Sequence, residues 1–217
     1  MPVREPYGEN WLAFLLIFSY RRNNHLCSIS KVNPGSLLLS LEIYPLSIKK
    51  LTLQEANHRN LDALYKMHFE MGDEENGFTN PAFGISRDDF DQYIDELIDC
   101  SRGIGVNPEF VPQTTFWLMR GAYPIGISRL RHTLNESLRT AGGHIGYYIR
   151  PCERKKGYGH LILSLTLDRA DLLSINPVLL TCDSDNTGSR RIIQNNGGLL
   201  EREDHLMHFC YYRIDRS

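Results

Sequence analysis

The sequence has no long apolar run, no paired cysteines and no excess of one charge, and each lack removes a class of protein. Its longest apolar run is "WLAFLLIF", Trp11 to Phe18, far short of the roughly 20 residues that span a bilayer. The run also makes a poor signal peptide, because Glu5 and Glu9 precede it and "SYRRNN" follows where a small-residue cleavage site would stand. The five cysteines, Cys27, Cys100, Cys152, Cys182 and Cys210, show no C-x-x-C spacing and are odd in number. That pattern suggests neither a zinc site nor a disulfide framework, so no metal is expected. It fits a reducing, cytoplasmic setting with no membrane partner. A formal net charge of -2 gives no general attraction to nucleic acid. Any anion binding must come from local charge.

What is present is an ordinary globular composition, 217 residues with 41% hydrophobic and 23% charged, enough for one domain and an extension. Residues 1–40 read as an extension of unknown role, either a packed accessory segment or a loosely held tail, and a misassigned translation start would look the same. Residues 41–217 read as the domain. Leu41 to Thr52 reads as a strand, broken or bulged near Pro45. Thr52 then opens "TLQE", a capping box that predicts a helix with Leu61, Leu64, Tyr65 and Phe69 on one face, ending near Gly72. Asp73 to Gly84 is loop-like. Ser86, with Asp89 three residues on, caps a second helix whose stripe is Phe90, Tyr93, Ile94, Leu97 and Ile98. "TTFWLM" and "YPIGISRLR" predict a hairpin turning at Arg120 to Ala122. His144 to Arg150 is a strand with Ile145, Tyr147 and Ile149 on one face and His144, Gly146, Tyr148 and Arg150 on the other. A helix from Gly159 to Leu173, the strand "PVLLTCD", a helix from Asn186 to Gly197 or Gly198, and the strand "HFCYYRI" complete the chain. The order is that of a mixed α/β sheet with helices on both faces.

The informative stretch is "PCERKKGYGHLIL", Pro151 to Leu163. A cationic turn leaves a strand and enters a helix, whose first backbone N–H groups lack partners and carry a partial positive charge. Glycines admit a ligand close to the backbone. A phosphate or pyrophosphate suits such a place. The Walker pattern is absent, and the dinucleotide pattern fails because its third glycine would fall on Ile162. What remains is R-x-x-G-x-G on Arg154, Gly157 and Gly159. Taken alone it also fits a basic, exposed helix entry, the lesser of the two readings.

This loop resembles the acyl-CoA pyrophosphate loop of the GNAT N-acetyltransferase superfamily. The resemblance extends over roughly residues 41–214, through the strand "GHIGYYIRP" and the segment "LLTCDSDNTGSRRIIQNNGG", where Asn186, Ser189 and Gly197 match a second family pattern. "LRHTLNESLRTAGGHIGYYIRP" is similar to one bacterial-type branch of acetyltransferases. The resemblance implies a mixed, mostly antiparallel sheet that splays after the strand at His144, with the pantetheine arm of acetyl-CoA in the gap. It implies that Tyr148 and Ile149 meet the arm through their backbone. The loop from Lys155 through Lys156, Gly157 and Tyr158 to Gly159 holds the pyrophosphate, Asn186 and Ser189 line the other wall, and Arg154 and Lys155 face phosphate or solvent.

The implied reaction is direct acetyl transfer to the amine of a small molecule or a protein. The amine must lose a proton, and the tetrahedral oxyanion needs a donor. His144 is the first candidate for the base, since an ordinary histidine titrates near neutrality, although it also reads as a structural strand-start residue. Glu136 and His132 are second candidates, and both also read as solvated loop residues. Many family members carry a tyrosine seven residues after the asparagine, as acid toward the leaving thiolate; here that position is Ile193. Tyr147, Tyr148, Tyr211 and Tyr212 are the alternatives. Phe78 to Phe83 and Phe110 either shape the acceptor side or pack a long loop. Cys152 has no pairing partner evident in sequence and is read as inert. Two other readings stay open beside the enzyme: an acyl-CoA-binding sensor without turnover, and, more weakly, a divergent nucleotide-binding loop. The acceptor, and the choice between monomer and homodimer, are not legible.

Overall fold

The computed structural model describes residues 50–216. The expected extension over residues 1–40, and the expected break near Pro45, lie outside the described residues. Strand β1 (Leu51–Glu55) is followed by helix α1 (Leu61–Met71), the short strands β2 (Glu74–Glu75) and β3 (Phe78–Thr79), and helix α2 (Phe90–Ser101). Then come β4 (Gln113–Arg120), β5 (Tyr123–Arg131), the short helix α3 (Glu136–Thr140) and β6 (Ile145–Ile149). A 3-10 turn (Pro151–Glu153) leads into α4 (Tyr158–Leu172), and β7 (Val178–Asp183), α5 (Thr187–Asn195), β8 (Leu199–Asp204) and β9 (Phe209–Ile214) complete the chain.

The strands form two antiparallel blocks, β1-β4-β5-β6 and β7-β9-β8, and β2 pairs with β3 in a separate hairpin. Alternation along the strands gives the four-stranded block two apolar faces and the three-stranded block one. On one face Trp117, Met119, Ile127 and Tyr148 pack against Leu64, Met67 and Met71 of α1 and Phe90, Tyr93, Ile94 and Leu97 of α2. On the other, Ile162, Leu163 and Leu167 of α4 cover Phe116, Leu118, Leu130 and Ile145. Helices thus lie on both faces, as expected. Trp117 and Phe90 are almost wholly buried, and truncating either to alanine costs about 3–5 kcal/mol.

Three local expectations are overturned and a fourth is met in part. The "TLQE" capping box does not form, because Leu51 to Glu55 pair in register with Arg120 to Phe116 of β4; sheet pairing outweighs a cap signal. The helix starts instead after Asn60, which takes a left-handed conformation with φ 58°. Phe69 lies mostly in solvent while Met67, His68 and Met71 face the core. The loop from Asp73 to Gly84 contains the β2–β3 hairpin, turned by Asn76 and Gly77, both at positive φ. The Ser86–Asp89 pair does form, with the Asp89 N–H donating to Ser86 Oγ at 3.1 Å, but in the turn before the helix, which starts at Phe90 with Asp89 rather than Ser86 at its cap.

The two blocks are joined where the residue before β6 meets the start of β7, and then part. The His144 N–H donates to the Leu179 carbonyl at 2.7 Å, and the Leu179 N–H donates to His144 Nδ1 at 2.9 Å. Gly143, at φ +60°, sits so close that a Cβ would lie 2.5 Å from the Leu179 oxygen. Beyond this pivot the strands diverge, and the gap is the cleft.

Candidate active site

The head of the cleft is the turn before α4. The backbone N–H groups of residues 155–160 donate to no protein acceptor among the described residues. Gly157 takes φ +84° at the helix cap, a conformation that side chains with a Cβ resist. Gly159 has another reason: a Cβ there would lie 2.6 Å from Ile192 Cδ1, so its bareness lets α4 and α5 pack closely. The amides of 155–160 and the helix dipole make a concave, positive surface.

The three loop cations serve different ends. Arg154 turns away from the amides: Nη1 and Nη2 donate to both Glu75 carboxylate oxygens at 2.7 and 2.6 Å, and Nε donates to the Ile149 carbonyl at 3.0 Å. These bonds hold the Glu75 carboxyl below its usual range. Lys156 donates to Glu153 at 3.0 Å, and Arg120 donates to the same buried carboxylate at 2.9 Å. Burial pushes the Glu153 carboxyl up, but these two partners outweigh it and hold it below the ordinary value. Lys155 is the one of the three without an ion-pair partner among the described residues.

From this head a cavity of about 550 Å³ runs between β6 and α5, lined by Tyr147, Tyr148, Ile149, Lys155, Asn186 and Ser189 among others. Asn186 caps α5 through Oδ1, which accepts from the Ser189 N–H at 3.0 Å. A second cavity, about 370 Å³, shares Asn76, Tyr147, Asn186 and Ser189 with the first and reaches Phe78, Thr181, Cys182 and Asp183. Register decides which backbone groups face the gap. The Arg131 N–H donates to His144 O and the Arg150 N–H to Ile125 O, so by alternation Tyr148 turns its backbone to β5. Tyr147 and Ile149 turn theirs to the cleft, and the Ile149 carbonyl is taken by Arg154. The structure therefore brings Tyr148 to the cleft by its side chain, not its backbone.

The residues singled out as bases lie elsewhere. His144 and His132 line a separate cavity of about 330 Å³ with Arg139 and Leu179. The His144 Nδ1 lone pair is engaged by the Leu179 N–H, and burial, with Arg139 adding to it, lowers the ring to about 4. His132 bonds Thr114 Oγ1 at 2.8 Å through Nε2. Glu136 is exposed in the first turn of α3. The group that sequence reasoning passed over is Asp183, the last residue of β7, which lines the second cavity. Tyr147 lines both cavities; its hydroxyl is buried beside Ser189, and burial pushes that phenol well above its ordinary value. Ile193, where many family members have tyrosine, lines the second cavity as an apolar wall. Cys182 also faces it, its thiol pushed up by burial to about 12 and so protonated.

Among the described residues no helix is long and apolar enough to cross a membrane, and no group of three or more histidine, cysteine or acidic side chains is placed to hold a metal.

A sheet parted beside a helix N-terminus rich in free amides has the shape that suits an extended ligand with an anionic head. The chain belongs to the GNAT acetyltransferase family, whose domain model, "Acetyltransferase (GNAT) domain", matches residues 50–198. Solved structures agree on the fold. One is RimL, a ribosomal L7/L12 alpha-N-protein acetyltransferase in complex with coenzyme A, with a TM-score of 0.58 and 14% identity over 76% of this chain and 93% of that one. Another is yncA, a putative acetyltransferase from Salmonella typhimurium with its cofactor acetyl-CoA, with a TM-score of 0.55 and 12% identity over 76% and 93%. A third is the ribosomal-protein-S5-alanine acetyltransferase from Vibrio fischeri, with a TM-score of 0.55 and 12% identity over 76% and 92%. No curated protein matches the sequence.

Proposed function

We propose that this chain transfers an acetyl group from acetyl-CoA to the amine of a small molecule or a protein, by direct attack. The observation that carries the reading is the run of amides from 155 to 160, left without acceptors at the head of the cleft. When bound, acetyl-CoA supplies a thioester that an uncharged amine can attack. The chain's own residues would do the rest. The amides of 155–160 and Lys155 receive the pyrophosphate. The Tyr147 backbone and the Ile149 N–H meet the arm, and Asn186 and Ser189 form the facing wall. The free Tyr147 N–H offers a donor where an oxyanion develops. The Tyr147 hydroxyl is a weaker acid than the coenzyme thiol, whose ordinary pKa is near about 8.5, so it donates a hydrogen bond to the thiolate rather than a proton. Asp183 takes the place first considered for His144 and Glu136, receiving the amine's proton through water.

Calorimetric titration with acetyl-CoA tests the donor site. Gly157→Asn and Gly157→Asp strain the turn alike, and both residues tolerate positive φ better than most. Only the aspartate adds charge among the amides. Micromolar binding to wild type, kept within a few-fold by the asparagine variant and lost by the aspartate variant, supports the reading. No binding by folded wild type sinks it. Binding without acceptor-dependent thiol release would favour the acyl-CoA sensor instead.

A further inference from the structure

Under the β2–β3 hairpin lies a buried guanidinium with no carboxylate to answer its charge among the described residues. Arg129 on β5 is 6% exposed. Among the described residues no carboxylate is within ion-pairing distance of it, and its Nε and Nη2 have no partner. Those two atoms form one edge of the guanidinium, where two N–H bonds point the same way, the fork that fits a carboxylate. The ring of Phe78 stacks on the flat face, 4.5 Å from Cζ, which eases the charge and leaves that edge free. Thr115, the register partner of Arg129 on β4, has a buried hydroxyl without a partner. The Tyr93 hydroxyl of α2 is buried as well and stands beside Arg129, to which its oxygen offers a neutral acceptor but no charge. On the other side of Arg129 its register partner is Gly146 of β6, whose bare Cα is covered by the Phe78 ring, 3.5 Å from where a Cβ would stand.

Arg129 lines a groove of about 860 Å³. Thr79 and Arg131 are walls of both this groove and the second cavity of the cleft, so the two adjoin across these side chains. Arg131 has acceptors of its own in the Gly142 and Gly143 carbonyls, at 3.1 and 2.9 Å. The groove also carries Glu96, Asp99 and Glu109. A floor with an unanswered cation and walls with carboxylates suits a ligand that bears both signs. A buried, unpaired guanidinium is costly to a fold, and a ligand that pairs with it recovers that cost.

We propose that the acceptor is an amine that also bears a carboxylate, and that Arg129 receives that carboxylate through its Nε–Nη2 edge while the amine faces the cleft. The assignment rests on the acetyl-transfer reading. Because Arg129 sits one strand from β6, a spacing of about 5 Å, the amine and the carboxylate are close together, as in an amino acid or at a peptide N-terminus that begins with an acidic residue.

The test uses the full chain. Thiol release from acetyl-CoA is followed with glycine and β-alanine against glycinamide and β-alaninamide, and with tripeptide amides beginning in Asp against those beginning in Asn. Either carboxylate set, free acid or acidic peptide, should exceed its neutral partner at least tenfold in kcat/KM, and the set that does so identifies the source. Arg129→Met should abolish the preference through KM, and Arg129→Lys, which keeps the charge without the fork, should keep only part of it. Melting supplies a second readout: the preferred acid should raise Tm of wild type and not of Arg129→Met, and the ligand-free variant should melt no lower than wild type. Equal use of acid and amide, no rise in Tm with any acid, or a lower Tm for ligand-free Arg129→Met would overturn the proposal and leave a structural arginine with buried water. Acetyl-CoA titration of both variants separates the failures: undisturbed donor binding confines a negative result to the acceptor site, whereas absent donor binding in wild type removes the reading on which the proposal rests.

Discussion

Replacing His144 by alanine discriminates between a proton-transfer residue and a pin that fastens β6 to β7. As a pin, His144 accepts from the Leu179 N–H at 2.9 Å. The substitution strands that amide, at a cost of about 1–3 kcal/mol. The cost depends on pH, and the sign follows from the ring's lowered value of about 4. A histidine with an ordinary value near 6.5 in the unfolded chain binds its proton more tightly there. Wild-type stability is therefore full above pH 6.5 and falls as pH drops toward 4. A fully shielded ring would forfeit about 2 kcal/mol by pH 5, and one bordering an open cavity roughly half of that. The alanine variant lacks this slope, so the gap between the two proteins should narrow by about 1 kcal/mol between pH 7.5 and pH 5. Urea unfolding at both pH values measures the gap, and kcat at pH 7.5 should change by less than about fivefold if the group is remote from the chemistry. A hundredfold loss of kcat with unchanged stability would refute the argument and restore His144 as the base.

Three further outcomes follow from the packing. His68 is fully buried, bonded through Nδ1 to Asn80 Oδ1 at 2.8 Å, and lowered by burial to about 4; it should contribute a further loss of up to about 3 kcal/mol between pH 6.5 and 4, seen as a pH slope in urea midpoints that His68→Gln removes. Gly159→Ala should destabilise wild type by about 1 kcal/mol through contact with Ile192 Cδ1. In an Ile192→Val background, which lacks that carbon, helix propensity should make the same change neutral or stabilising, and a persisting loss would mean that Ile192 is not the obstacle. Glu75→Gln should leave global stability within about 1 kcal/mol, since its pair with Arg154 is partly exposed, but should speed amide exchange across residues 74–79 several-fold; unchanged exchange would show that the hairpin is held by other contacts.

Legibility in the sequence tracked how local each cause is. The stripe from Phe90 to Leu97 and the alternation in "HIGYYIR" express burial on one face, and the structure has both elements. Thr52 to Glu55 carried a local cap signal, but the partner strand that overrides it lies more than sixty residues away. The β2–β3 hairpin had its signal in Asn76-Gly77, hidden because its strands are two residues long. At the site, the glycine turn and the wall at Asn186 and Ser189 were readable as a pattern. The use of Arg154 was not, because Glu75 stands 79 residues from it. The vacant edge of Arg129 was invisible for the same kind of reason: a missing partner shows only once the neighbours are in place.

The grip of Arg154 on Glu75 has a consequence for regulation. One guanidinium ties the Ile149 carbonyl, on the strand that borders the proposed donor site, to the hairpin beside the proposed acceptor site. Two binding events that share such a tie obey reciprocity: whatever factor the acceptor imposes on donor affinity by moving the hairpin, the donor must impose on acceptor affinity. An acceptor that lifts the hairpin would drive out the spent donor, whereas one that presses it down would hold both substrates together until reaction. The sign of that coupling determines whether the enzyme favours rapid exchange or long retention, and a single ion pair is placed to set it.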